Sequence, residues 1–191
     1  MAGEKLHELT IAEWLAALAA GNPVPGAGSA AALTASAAAA LVAMTARLSD
    51  EWPEAAGVAA QALALQQRLA ELAQADAEIY AESLDALAAR QKGQDERRDF
   101  ALGTLLDRAA RVPLAIAETA CDVSLLAANA AAYVRLEVQP DARAAGSLAA
   151  AAASAAALLV EVNLTVTADD ERVRQARRAA EGAAAAVQSA R

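Results

Sequence analysis

Cysteine, histidine and aromatic side chains are nearly missing from this sequence. Cys121 and His7 each stand alone in a chain of 191 residues. A single cysteine closes no disulfide within the chain, and a Cys/His zinc site lacks its ligands, so no metal is expected. Cys121, on an apolar face, reads as a buried inert thiol, and His7 as a surface residue ahead of the first helix. Aromatic residues make up 3% of the chain, so the core must be filled by methyl groups and Leu rather than rings. Sustained alternation of Val, Ile and Thr is absent, as are Asn-Gly and Asp-Gly hairpin turns, which argues against strands. Surplus positive charge is absent too. With 24 acidic against 16 basic residues the formal charge is −8, which disfavours nucleic acid as a partner because phosphate binding needs a basic surface. The opening MAGEKLHELT has no apolar run of the kind a secretory signal requires, and a reducing, cytoplasmic setting is the expectation.

What is present is alanine, at roughly a third of all residues, within a chain that is 57% hydrophobic. A domain of this size buries about 70% of its unfolded surface. Residues 1–191 are therefore read as one all-α domain, a multi-helix bundle with long packed helices. The stretches Ser29 to Ala46 and Gly146 to Val162 are apolar enough to raise the question of membrane spans. Both are mostly Ala, without cationic flanks or aromatic belts, and buried helices of a bundle are expected, with no membrane partner.

Helix signals run through the whole chain. Thr10 and Glu13 have capping-box spacing for a helix from Ile11 to Ala20 that stops at Gly21. GNPVPGAGS is a non-helical turn. A second helix is expected from Ser29, packing through Leu33, Ala37, Leu41, Met44 and Leu48. A third covers Ala55 to Ala89 with the seam Leu65, Leu69, Leu72, Asp76, Ile79, Ser83. A fourth runs through Leu102, Leu105 and Leu106, and Pro113 kinks or restarts it ahead of Leu114, Cys121, Leu125 and Ala128. Gln139-Pro140-Asp141 opens an Ala-rich helix to Val162, and Thr167 with Asp170 caps an Arg-rich last one. Small-residue helices too apolar to be left in water also suggest a symmetric homodimer.

Five places could carry chemistry. PVPGAGS, Pro23 to Ser29, is a glycine-containing loop entering a helix, a place where free amides and the dipole favour an anion; it is also an ordinary turn with Ser29 as N-cap. Asp76 stands on an apolar seam, where an ionised carboxylate needs a partner. Asp141 lies in a first helical turn, and Asn163 on an otherwise apolar face. Arg98, in ERRDFALG, is a bidentate donor that could face either an anionic ligand or solvent.

These features occur in an order that resembles a known family. LTIAEWLAALAAGNPVPGAGSAAAL, ADAEIY, the R-then-AARVPL segment and the closing VNL followed by acidic residues resemble the cyclodeaminase domain of formiminotransferase-cyclodeaminase, a family that includes the bacterial methenyltetrahydrofolate cyclohydrolases, the serine-cycle enzymes. The resemblance covers nearly the whole chain. Pro25, Gly26, Gly28 and Ser29 match its glycine-rich motif, and Ala27 replaces the central Gly. Asp76, Arg98, Val112-Pro113-Leu114 and Asn163-Leu164 match further positions. Asp141 matches the Asp of a Ser-Asp pair, with Pro140 in place of Ser, and Val134-Arg135-Leu136-Glu137 replace a Gly-Asn-x-Asn stretch.

The resemblance implies an all-helical homodimer acting on a tetrahydrofolate derivative without metal, as methenyltetrahydrofolate cyclohydrolase or formiminotetrahydrofolate cyclodeaminase. Asp76 and Asp141 would be catalytic carboxylates; Pro25, Gly26, Gly28, Ser29, Arg98 and Asn163 would bind substrate. A folate binder without turnover, or a structural helical dimer of the same fold, is the alternative suggested by the replaced motif positions.

Overall fold

A computed structural model of the chain describes residues 5–91, 96–164 and 170–190, the side chains at 7, 89–103 and 106 excepted. A 3-10 turn, Leu6–Glu8, is followed by α1 (Ile11–Ala19), α2 (Ala27–Arg47), α3 (Ala55–Gln91), α4 (Glu96–Tyr133), α5 (Gln139–Leu164) and α6 (Glu171–Ser189), with no strand among the described residues. The fold is all-α. The capping box of α1 is complete: Glu13 N donates to Thr10 Oγ1 and Thr10 N to Glu13 Oε2. At α6 the cap is Asp170, which accepts from Arg172 N at 2.9 Å; Thr167 lies outside the described residues. The Asp170 carboxyl is held down to about 2, chiefly by hydrogen bonds from the Arg172 side chain and amide. The same guanidinium reaches Asp107, and so ties α6 to α4.

Two expected boundaries move. α2 begins at Ala27 with Gly26 as its N-cap, so Ser29 is a residue of the first turn and not a cap. The long rods are α3, 37 residues, and α4, 38 residues, each about 55 Å at 1.5 Å per residue. The expected break at Pro113 does not occur: α4 runs through it, and Pro113 is buried. A proline lacks the N–H that would bond the carbonyl four residues back, here that of Ala109. Asn163, on α5, donates its Nδ2 to the Ala109 carbonyl at 2.9 Å. The side-chain amide replaces the missing backbone donor, and the rod stays whole.

The packing reverses the expected leucine stripe. The buried face of α2 consists of Ala31, Ala32, Ala35, Ala38, Ala39, Val42, Ala43 and Ala46, while Ala37, Met44 and Leu48 are exposed and Leu33 and Leu41 half-buried. α5 repeats the arrangement, with alanines and Gly146 inside and Leu148, Leu158 and Val162 outside. Interaxial distance depends on the side chains at the contact, within about 8–10 Å; methyl-sized faces take the near end, and a Leu then has no room between the axes. On α3 the seam is inside as expected, with Leu69, Asp76, Ile79 and Ser83 buried. The main core joins α2, α3, α4 and α5, and a smaller cluster of Val160, Val173 and Ala176 closes against α6. Three segments, Ala27–Arg47, Asp107–Tyr133 and Gln139–Leu164, are long and apolar enough by length and composition to cross a membrane, and about half of each is buried inside the bundle.

The pairing of Pro113 with Asn163 can be measured. Asn163→Ala strands the Ala109 carbonyl and should lower stability by about 1–3 kcal/mol. In a Pro113→Ala background the restored amide reclaims that carbonyl, and the same substitution should lose most of its effect. Urea unfolding of the four proteins gives the coupling; equal losses in both backgrounds would contradict the assignment.

Candidate functional site

The entry to α2 is built around an end that its own sequence does not cap. Gly26 is extended, at φ −120° and ψ −160°, and has no side chain to accept from the first turn. The first intrahelical bond is Ala30 N to Gly26 O, at 3.1 Å, so the amides of Ala27, Gly28 and Ser29 need other acceptors. Asp76 supplies one from α3. The Ser29 hydroxyl donates to the Ala73 carbonyl at 2.9 Å and to Asp76 Oδ2 at 3.1 Å, and the Ser29 amide also hydrogen-bonds the carboxylate.

Gly28 is what permits this approach. A Cβ built on it would overlap the Asp76 carboxylate, so glycine is needed for lack of a side chain rather than for an unusual φ. Ala27, by contrast, is exposed, and the contact between Gly28, Ser29 and Asp76 forms with alanine at that position. Pro25 is buried just ahead of the turn.

Asp76 is 9% exposed. Burial raises its carboxyl above the ordinary carboxylate range, and the hydrogen bonds from the Ser29 side chain and amide offset part of the rise. The positive end of the α2 dipole acts in the same direction as those bonds. The result is an acceptor that is held in place on one oxygen and made more basic by its surroundings.

The other candidates lie elsewhere. Asn163 donates to the Ala109 carbonyl that Pro113 leaves without a backbone donor, so its amide is committed there rather than to the carboxylate. Asp141, in the first turn of α5, is at the far end of the bundle. The turn before α5 is fixed there by Arg135 N donating to Ser49 Oγ at 3.0 Å, just past the end of α2, whose 21 residues span about 30 Å. In one chain the two candidate catalytic carboxylates therefore do not meet. The Arg98 side chain is outside the described residues. Two partners were missed by sequence reasoning: the Ala73 carbonyl, and Gln74, whose Oε1 accepts from Leu6 N at 2.8 Å. A backbone acceptor leaves no trace in residue identity, and a Gln on the flank of a long helix reads as solvated. Among the described residues no group of three His, Cys, Asp or Glu gathers as metal ligands would. A cavity of about 200 Å³ between α4, α5 and α6, walled mainly by alanine with Ser124 and Arg143, is separate from the Asp76 site.

The family described as formiminotransferase-cyclodeaminase matches residues 10–182. A comparison with curated proteins finds no match. Among solved structures, formiminotetrahydrofolate cyclodeaminase from Thermotoga maritima superposes with a TM-score of 0.81 at 21% identity, over 97% of this chain and 96% of that one, a likeness of fold.

Two measurements test the geometry. Gly28→Ala should destabilise the protein by about 1–3 kcal/mol through overpacking, and Asp76→Ala in the same chain should remove most of that loss; an unaffected Gly28→Ala protein would refute the close contact. The second concerns pH. A carboxyl whose folded pKa lies above its unfolded value binds its proton more tightly in the folded state. Its stabilising contribution is full below the unfolded pKa, about 4, and is lost as pH rises through the folded value. Wild type should therefore lose stability relative to Asp76→Asn as pH is raised from below about 4 towards neutrality. Wild type gaining stability relative to Asp76→Asn over that interval would reverse the assigned direction.

Proposed function

The chain belongs to the formiminotransferase-cyclodeaminase family, and from that membership we propose that it is a folate one-carbon enzyme whose reaction is served by the Asp76 site. The single observation that carries this reading is a buried carboxylate of raised basicity held at the glycine-rich start of a helix. Two reactions fit. In formiminotetrahydrofolate cyclodeamination, the anilino nitrogen N10 attacks the formimino carbon carried on N5, and ammonia leaves as the methenyl bridge closes. In methenyltetrahydrofolate hydrolysis, water adds to the bridging carbon, loses a proton and opens the ring to the formyl product. Both pass through a tetrahedral carbon that begins or ends as an amidinium-like cation.

A carboxylate stabilises that cation electrostatically, and with its pKa raised it is better placed than an ordinary Asp to take a proton near neutral pH. Gly28 and Ser29 hold the carboxylate from below, and amides of the first turn of α2 offer donors to an oxygen or nitrogen bearing the developing lone pair. No metal enters this scheme. We also read the active form as a homodimer. That reading is supported by the apolar side chains turned outward, including Met44, Leu48, Leu125 and Leu158; an isologous pairing would bury such a surface.

Incubation with formiminotetrahydrofolate, following ammonia and the methenyl chromophore, and separately with methenyltetrahydrofolate, following loss of that chromophore, distinguishes the two reactions. Asp76→Asn should fold and bind folate while turning over about 100-fold more slowly or worse. Full activity in a folded Asp76→Asn protein would remove the assigned role, and binding without turnover in wild type would make the chain a folate-binding relative.

A further inference from the structure

The segment between Leu6 and Gly26 leaves α3 and returns to α2 at one level of the bundle. At its start Leu6 N is bonded to Gln74 Oε1, two residues from Asp76 and within the same turn of α3. At its end Gly26 leads into the Gly28–Ser29 turn, which lies on the Asp76 carboxylate. The strap between these anchors, which carries α1, therefore begins and ends beside the site.

α1 is only partly seated on the bundle, through the half-buried Trp14, Ala17 and Leu18. Ile11, Trp14, Leu15 and Leu18 follow the i, i+3, i+4, i+7 spacing of one apolar face, yet no residue of the helix is buried, and Ile11 and Leu15 are 77% and 52% exposed. The capping box completes its N-terminus without help from the bundle. Gly21, at φ 73°, sets the turn on its C-terminal side, a conformation in which glycine is at ease. The helix is thus a preformed amphipathic unit on two short tethers. One further detail points to a ligand: Trp14 Nε1 is closed off from solvent and has no hydrogen-bond partner. A donor in that condition lacks an acceptor that the chain alone does not provide.

We propose that α1 is a lid over the Asp76 site, closing its apolar face on the bound folate one-carbon derivative and donating the Trp14 indole N–H to it. The proposal rests on the folate reading above. The ligand class suits the lid: a folate carries flat, largely apolar rings edged with carbonyl and ring-nitrogen acceptors, which match an Ile-Leu-Trp face with one donor. Closure would also keep bulk water from the reacting carbon except for the molecule the reaction uses.

Hydrogen exchange of the α1 amides, residues 11–19, tests this in the full chain with 5-formyltetrahydrofolate as a stable probe. Binding is measured independently by equilibrium dialysis. Saturating probe should slow exchange in α1 by about tenfold or more, and Trp14→Phe, which keeps the ring but removes the N–H, should weaken binding by about tenfold and reduce the protection. If the probe binds and α1 exchanges as before, the lid is overturned and the folate reading stands. Protection that follows protein concentration without probe would seat the Ile11–Leu15 face on a second copy, and would overturn the lid as well. If no folate binds, the lid falls together with the reading it rests on.

Discussion

How closely alanine-faced helices approach one another governs the rest of this protein. An alanine loses no rotamer freedom on burial but brings little apolar area with it, so its contribution depends on the backbone behind it coming into contact as well. Interaxial spacing becomes the main variable, and dispersion between closely set rods takes over what large side chains supply elsewhere. The buried hydroxyls respect this economy of space. Thr45, Ser83 and Thr119 return their protons to carbonyls within their own helices at 2.7–2.9 Å, so each behaves as a small apolar residue towards its neighbour. On α2 and α5 large residues are displaced outward for the same reason, which leaves these two helices with methyl-sized inner faces and leucines outside.

That inversion marks the limit of what could be read from the sequence. Helical content, the long third rod, the capping box at Thr10 and the place of Asp76 on an inward seam were all legible, because each is written in local periodicity or in the chemistry of a single residue. The direction of the α2 face was not. Periodicity identifies two stripes, one of Leu and one of Ala, and hydrophobicity favours the Leu stripe; only the distance to the neighbouring helix decides for Ala. Pro113 misled for a similar reason. Its local effect is to free a carbonyl, and the donor that cancels the effect sits 50 residues later at Asn163, beyond the reach of any pattern within one segment. Within the site, Gly28, Ser29 and Asp76 could each be singled out and expected at one place together with Asn163; what no local pattern records is that Asn163 is drawn off to Ala109 and that Asp141 lies apart from all three.

The Asp76 site shows how a structural need and a chemical opportunity coincide. The start of α2 has donors without acceptors, and the chain answers with a carboxylate from a different helix rather than with a cap of its own. A local Ser or Asp cap would have satisfied the same amides with a group open to water. Taking the acceptor from α3 instead places it in the interior, where burial makes it more basic and the glycine lets it rest against the helix backbone. The same contact ties the two helices together, so changes made for chemistry at this position carry a consequence for folding.

The alanine faces have one more consequence. A row of identical methyl groups offers nearly the same contact after a slide of one helical turn, about 5.4 Å, so apolar packing alone leaves several stackings close in energy. Hydroxyls and side-chain amides that cross between helices break the tie. Ser29 finds the Ala73 carbonyl and Ser36 that of Gln66, positions spaced by two turns on α2 and by two turns on α3 in the opposite sense. Ser124 reaches Ala183 on α6, and Asn163 reaches Ala109 on α4. These polar atoms work like the teeth of a key on otherwise smooth rails: a slip in any helix pair they join would disengage them. A few atoms that add modestly to total stability thereby select one alignment among many.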